Sequence, residues 1–347
     1  MDAFLEAIKF NCDVSDSRYW GNFSICGLLM RYRDLYRSEM GLDPWSPIPR
    51  QDIAAWIGRK ETRWAGLEEH DLRDLTVKGK AYSPFDVDGI NQALLDDGYV
   101  FGAGYGMYIK PTFFLGRVRS VAVIDGHTVY TTERELVRDL LTAPAMLQDR
   151  AIFIRLEPLR ALLWEKFAEL RPDRGAALSN AFRAHGITPG QNVGNGFARQ
   201  LEHMAFAYSR VLLRHELAES KEEVPQWKEM LMQAGDRNTE HFLRAVKDLV
   251  ADTSAAGPLR SIAETRDRGA LDLFIGLIDG YRRLLFPEAR DAYGRFLKDG
   301  AWEAVDEARR NGHDRFLAVR RKIIDLFAGG DQAAFHRGVA EMMKTFN

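Results

Sequence analysis

The sequence predicts a mainly α-helical protein with a small antiparallel β insert: an α+β N-terminal part over residues 1–143, followed by an all-α helical bundle over 144–347. Three observations predict this. Apolar residues recur at helical spacing through most of the chain. Near residues 98–131 the texture changes to short aromatic and β-branched runs. From about Ala145 onward only helical patterning remains, punctuated by Gly186, Gly235, Gly257, Gly300, Gly312 and Gly329-Gly330.

Taken in order, the first clear helix runs from Phe23 to Met40, where Ile25, Leu28, Leu29, Tyr32, Leu35 and Tyr36 form one face, and Gly41 and Pro44 stop it. A proline-stiffened loop, Asp43 to Pro49, follows. A second helix is expected from Gln51 to about Leu75, and a third from Ser83-Pro84 to about Asp96, with serine as cap and proline at the first position.

Beyond Gly98, three strands are expected in an antiparallel sheet. Asp125-Gly126 between β-branched runs is the hairpin signal, because both residues tolerate the positive φ of a tight type I′ turn. The cluster Gly102-Ala103-Gly104-Tyr105-Gly106 lacks a following Gly-Lys-Ser/Thr or helix N-terminus, so it reads as a turn or bulge and not as a phosphate cradle. Thr132 with Glu135 three residues on has the capping-box pattern that would restart helix. Ile152, Leu156, Leu159, Leu163, Phe167 and Leu170 then give one apolar helical face, kinked or restarted at Pro158.

Composition narrows the function classes. The 48 basic and 50 acidic residues leave a net charge of −2, which supplies no overall field toward nucleic acid or anionic lipid. Arg31, Arg33 and Arg37, and the group Arg309 to Lys322, are interleaved with apolar faces or acids, which argues against nucleic acid as a partner. The start MDAFLEAIKF lacks the basic and apolar regions of a secretory signal, no apolar run approaches a membrane span, and Cys12 and Cys26 are the only cysteines. The expectation is a cytoplasmic protein with reduced thiols, not engaged with membrane. Cys12 has Asp13 and Asp16 nearby, which raise a thiol pKa, so both cysteines read as small buried hydrophobes and not as nucleophiles.

Two candidate sites remain. Four of the seven tryptophans, Trp20, Trp45, Trp56 and Trp64, lie in the N-terminal third. Trp20 and Trp45, with Tyr19 and Arg18, are the candidates for holding a small ligand or a protein partner of unknown identity. In the C-terminal part, three acid–histidine pairs, Glu202-His203, His215-Glu216 and Glu240-His241, fall in expected helices; Glu202, His203, Glu240 and His241 are the candidates for a metal or acid–base site. Adjacent helical residues point about 100° apart, so each pair can aim one member at an ion. Neither Glu-x-x-His nor His-Glu-x-x-His occurs around any of the eight histidines. The leading expectation is a non-catalytic binding or interaction protein; the alternative is an enzyme using those four residues. Cofactor and ligand stay open, as does a homo-oligomer, since an interface helix looks like a core helix.

Overall fold

The computed structural model describes residues 1–170 and 176–346, and the chain divides into two compact units, Met1–Lys166 and Phe167–Asn347. The first unit opens with α1 (Asp2–Tyr19), α2 (Ile25–Glu39) and α3 (Arg50–Ala65). Ser24 caps α2 by accepting from the Gly27 amide, and Gly41 adopts φ 64° just past its end, as the sequence predicts. α3 ends ten residues before the predicted 51–75 helix does. The reason lies in α1, which pins the following loop. Arg18 donates to the carbonyls of Glu68 and His70, and the Asn11 amide brackets the Arg73 backbone from both sides. A short ribbon of β1 (Leu75–Val77) and β2 (Lys80–Tyr82) comes next, then α4 (Val87–Leu94), capped by Asp86 and not by Ser83.

The sheet is larger than a small insert. Its five strands are β3 (Tyr99–Tyr105), β4 (Pro111–Ile124), β5 (His127–Arg138), β6 (Ala145–Gln148) and β7 (Ala151–Arg155), in the order β3-β4-β5-β7-β6. All neighbours are antiparallel except β5 and β7. The predicted hairpin turn forms, with Ile124 opposite His127, Asp125 at φ 50° and Gly126 at φ 81°. Register shifts between Leu115 and Ser120 curl the long β4–β5 pair.

Three expectations are corrected here. Thr132 and Glu135 lie inside β5, not at a helix start, because β4 and β7 flank that strand and Arg155 claims the Glu135 carboxylate at 2.5 and 2.8 Å. The stretch after Ala145 is not purely helical, since β6 and β7 complete the sheet. α5 (Leu156–Ala168) begins only at Leu156, which puts Pro158 in a first turn where its missing N–H costs nothing. Gly102 and Gly104 are strand residues of β3, not a turn. A side chain at Gly102 would meet the Phe114 ring at 2.0 Å, so glycine is there to let that ring cross the sheet.

Two apolar clusters hold this unit. One joins Phe4, Ile8 and Cys12 of α1 to Val100, Phe101, Phe113, Phe114 and Phe153 of the sheet. The other joins Tyr32, Leu35 and Tyr36 of α2 to Trp56 and Trp64 of α3. Tyr32 contacts both indoles, at ring-centroid separations of 6.0 and 5.7 Å.

The described elements of the second unit are all helices: α6 (Ala176–Ala184), α7 (Asn195–Lys221), α8 (Trp227–Met232), α9 (Arg237–Thr253), α10 (Pro258–Thr265), α11 (Arg268–Leu277), α12 (Gly280–Leu285), α13 (Pro287–Asp299), α14 (Trp302–Ala328) and α15 (Gln332–Lys344). The predicted helical patterning at 171–175 lies outside the described residues. Gly312 is inside α14 and ends no helix. No described helix is long and apolar enough to cross a membrane.

Candidate functional site

Helix α1 carries Asp13 and Asp16 about one turn apart, and a buried polar cluster gathers on each. Asp13 is buried between α1 and α3, where it accepts from Trp64 Nε1 at 2.9 Å, Lys60 Nζ at 3.2 Å and Arg63 Nε at 2.5 Å. Lys60 also reaches Glu39 at 2.7 Å, and Trp56 Nε1 donates to the other Glu39 oxygen at 2.7 Å. Burial alone would lower the Lys60 pKa; Asp13 and Glu39 outweigh it and raise it, so Lys60 stays charged.

Above these pairs lies a cleft of about 470 Å³, lined by Lys9, Asp13, Trp56, Arg59, Lys60 and Arg63 with Met40 and Leu136 as its apolar shoulder. It adjoins an inner space of about 20 Å³ that reaches Cys12, Asp16 and Arg138. That is room for one water. The acids at the cleft are committed to partners, whereas among the described residues Arg59 makes no ion pair, and Arg63 uses only Nε on Asp13. At the inner end, Arg138 holds Asp34 through Nη2 at 3.0 Å, and its buried Nε and Nη1 have no hydrogen-bond partner. A buried guanidinium with two unmet donors is costly unless a water or a ligand oxygen answers it.

One turn deeper, Lys110 is fully enclosed between Asp16 at 3.0 Å and Asp139 at 3.3 Å. The Leu140 amide donates to Asp16, and the Phe113 and Leu141 amides donate to Asp139. Lys110 follows two non-glycine residues with positive φ, Tyr108 at 63° and Ile109 at 53°. That local strain turns the lysine inward. Burial, with Asp139 adding to it, pushes the Asp16 carboxyl up to about 7 against the opposing pull of Lys110. Burial likewise lowers the Lys110 ammonium, but Asp139 and Asp16 more than reverse this. The Cys12 thiol is raised by burial, then by Asp139 and Asp16, which keeps it protonated and unreactive as its acidic neighbours predict.

The second unit has its own cluster, on α7 and α9. His215 Nδ1 lies 2.8 Å from Asp252 Oδ1, and His215 Nε2 lies 3.7 Å from Glu219 Oε2. Glu219 Oε1 is held by Lys247 at 2.6 Å, and Arg282 stands 3.6 Å from Asp252. Among the described residues, His215, Glu219 and Asp248 offer ligand atoms all within 4.8 Å of one another. Burial would lower the His215 pKa, but Asp252 overrides it and lifts it to about 10. Burial, then Glu219, pushes Glu216 up to about 8 against the pull of His215 and Lys247.

Residues 3–155 match the model of the N-terminal domain of a family of unknown function, DUF6866, and residues 160–345 match that of its C-terminal domain. The chain belongs to this family. The cleft thus falls in the DUF6866 N-terminal domain and the His215 cluster in the C-terminal one. No curated protein and no solved structure matches the chain.

Within the DUF6866 domains, the residues singled out from sequence take several different places. Arg18 is occupied by the loop carbonyls of Glu68 and His70. Tyr19 is half-buried at the end of α1, Trp20 is exposed just beyond it, and Trp45 packs edge-on against Trp164 at 6.2 Å. None of the four lines the cleft. His203 is exposed, Glu202 and His241 are half-buried, and Glu240 is buried against Arg244 at 2.8 Å. These four do not form the group within ligand reach. Cys26 is exposed, not buried. The cleft residues were missed because they come from α1, α3, the end of α2 and the end of β5, and no linear spacing joins them. His215 and Glu219 did carry a signal, four residues apart on one helix face.

Proposed function

We propose that the chain is a non-catalytic binding protein that takes a small organic anion, a carboxylate or phosphate bearing an apolar part, in the cleft between α1 and α3. The observation that carries the reading is the pair of unmet donors on buried Arg138 at the inner end of a cleft whose outer wall presents Arg59 and Arg63. Arginine suits this role because its planar donors pair with carboxylate and phosphate oxygens in fixed geometry. The volume of about 470 Å³ suits a metabolite-sized ligand. One water in the inner space would relay the Arg138 donors to the ligand. Met40 and Leu136 supply the apolar contact. The absence of an activated nucleophile at Cys12 favours binding over covalent chemistry.

The reading includes a cytoplasmic location, supported by two unpaired thiols. Nucleic acid is not part of it, because Arg309, Arg310, Arg315 and Arg320 are engaged by acids. The test is calorimetric titration of the full chain with inorganic phosphate, and with short-chain and aromatic carboxylates. Saturable binding that weakens about 10-fold or more in Arg59→Ala and in Arg138→Lys is expected, the loss of one charge-assisted hydrogen bond each. Affinity unchanged in both variants, or no binding by the wild-type chain, would overturn it.

A further inference from the structure

We infer that His215, Glu219 and Asp248 bind a divalent transition-metal ion of the zinc or manganese class on the C-terminal unit. One imidazole with carboxylates is the donor set such ions accept, softer than a magnesium or calcium cage and harder than a thiolate site.

Geometry comes first. Two ligand atoms each about 2.1 Å from an ion lie roughly 3.0–3.4 Å apart at octahedral to tetrahedral angles. His215 Nε2 and Glu219 Oε2 stand 3.7 Å apart, within a few tenths of an ångström of that spacing, and an Asp248 oxygen lies within 4.8 Å of both. The two α7 ligands are four residues apart on one face, and α9 supplies the third. All three are half-buried, so an ion can enter from solvent.

The ligands are also held from behind. Asp252 takes the Nδ1 side of His215 at 2.8 Å, which fixes the ring and leaves Nε2 toward Glu219. Lys247 takes Glu219 Oε1 at 2.6 Å and leaves Oε2 toward His215. Outer groups of this kind orient metal ligands and tune their basicity.

Four acids, Glu216, Glu219, Asp248 and Asp252, gather here with the bases His215, Lys247 and Arg282. Glu216 is 7% exposed and, among the described residues, makes no hydrogen bond and no ion pair, although it lies among Glu219, His215, Lys247 and Asp248. A divalent ion held by His215, Glu219 and Asp248 balances the carboxylates of this cluster. The rival occupant is the proton: an imidazolium at His215 would then be the cluster's own cation, beside Lys247 and Arg282.

The experiment strips the full chain with a chelator, removes the chelator, and titrates Zn²⁺ and Mn²⁺ by calorimetry. Co²⁺ serves as a visible-absorption probe of nitrogen and oxygen coordination. One ion per chain is expected, with affinity reduced at least 100-fold in His215→Ala and in Asp248→Asn and 10–100-fold in Asp252→Asn, the size of effect an orienting partner has. Asp248→Asn is nearly isosteric at a half-buried position, so its melting curve shows whether it folds if His215→Ala does not. A wild-type chain that binds no ion saturably would overturn the inference in favour of the imidazolium. Binding at wild-type affinity in both His215→Ala and Asp248→Asn would overturn it by placing the ion elsewhere. Neither result touches the cleft of the other unit, so this inference and the binding reading fail separately.

Discussion

Lys110 in the N-terminal unit is wholly enclosed, and its two carboxylates also take backbone N–H donors from Phe113, Leu140 and Leu141. His215 in the C-terminal unit remains 12% exposed at its side chain, with Glu219 and Asp248 half-buried around it and Glu216 left without a partner. Both centres set several acids around one basic side chain. In the first, the charges and donors satisfy one another, which is what a structural ion cluster needs. In the second, donors come from side chains already claimed elsewhere, and carboxylate oxygens are left over. A closed set of charges holds a fold; an open set has capacity for something not in the chain.

The largest way to break this contrast is to remove the enclosed cation. Lys110→Met leaves Asp16 and Asp139 facing each other without a positive charge, and breaking a buried pair of this kind costs about 3–5 kcal/mol. For a unit of this size that corresponds to a fall in melting temperature on the order of 10 °C. Adding Asp16→Asn to Lys110→Met should restore part of the loss, because only Asp139 then remains charged and two amides still serve it. Thermal unfolding followed by near-ultraviolet circular dichroism checks both. A Lys110→Met chain within about 1 kcal/mol of wild type would mean that the cluster does not hold the fold.

How much of this was readable in advance depended on distance along the chain. The Asp125-Gly126 turn and the stop at Gly41 were readable because their cause is local: a backbone angle that these residues tolerate and others resist. The strands β6 and β7 were not. Ile152 and Leu156 fit a helical face with Leu159 and Leu163, and a short apolar run does not reveal whether a strand or a helix buries it. Thr132 and Glu135 match a cap in sequence, but pairing on both sides of β5 decides against it. Lys110, between Ile109 and Pro111, has the sequence of an exposed turn; only the positive φ of the two residues before it turns it inward. Of the candidate metal residues, the His215–Glu219 spacing was local and available, whereas Asp248 is brought in by the packing of α9 on α7.

The next effect sharpens the contrast through pH. Asp16 holds its proton up to about pH 7 in the folded chain, whereas an unfolded aspartate loses it near 4. Between those values the native state binds more protons than the unfolded state. Stability from this group is therefore full below about pH 4 and is lost as pH rises toward 7, at up to about 1.4 kcal/mol per unit. Above 7 the contribution is flat. Hydrogen exchange at the Leu140 and Phe113 amides, which donate to Asp16 and Asp139, measures it locally: protection should decline from pH 5 to 7 after correction for intrinsic exchange, and Asp16→Asn should remove the decline. A decline of equal slope in that variant would assign the pH dependence to another group.

The smallest effect tests the open side of the comparison. In the presence of chelator, His215→Ala should cost about 1–2 kcal/mol, below Lys110→Met, because the acids left behind keep other cations. Asp252 retains Arg282 at 3.6 Å, and Glu219 retains Lys247 at 2.6 Å. Urea unfolding followed by far-ultraviolet circular dichroism gives the number. A cost above about 3 kcal/mol would place His215 in the same class as Lys110, a buried cation on which the packing of its unit depends. The half-exposed carboxylates around it would then be anchors for the imidazole, and the distinction between a closed and an open cluster would not hold.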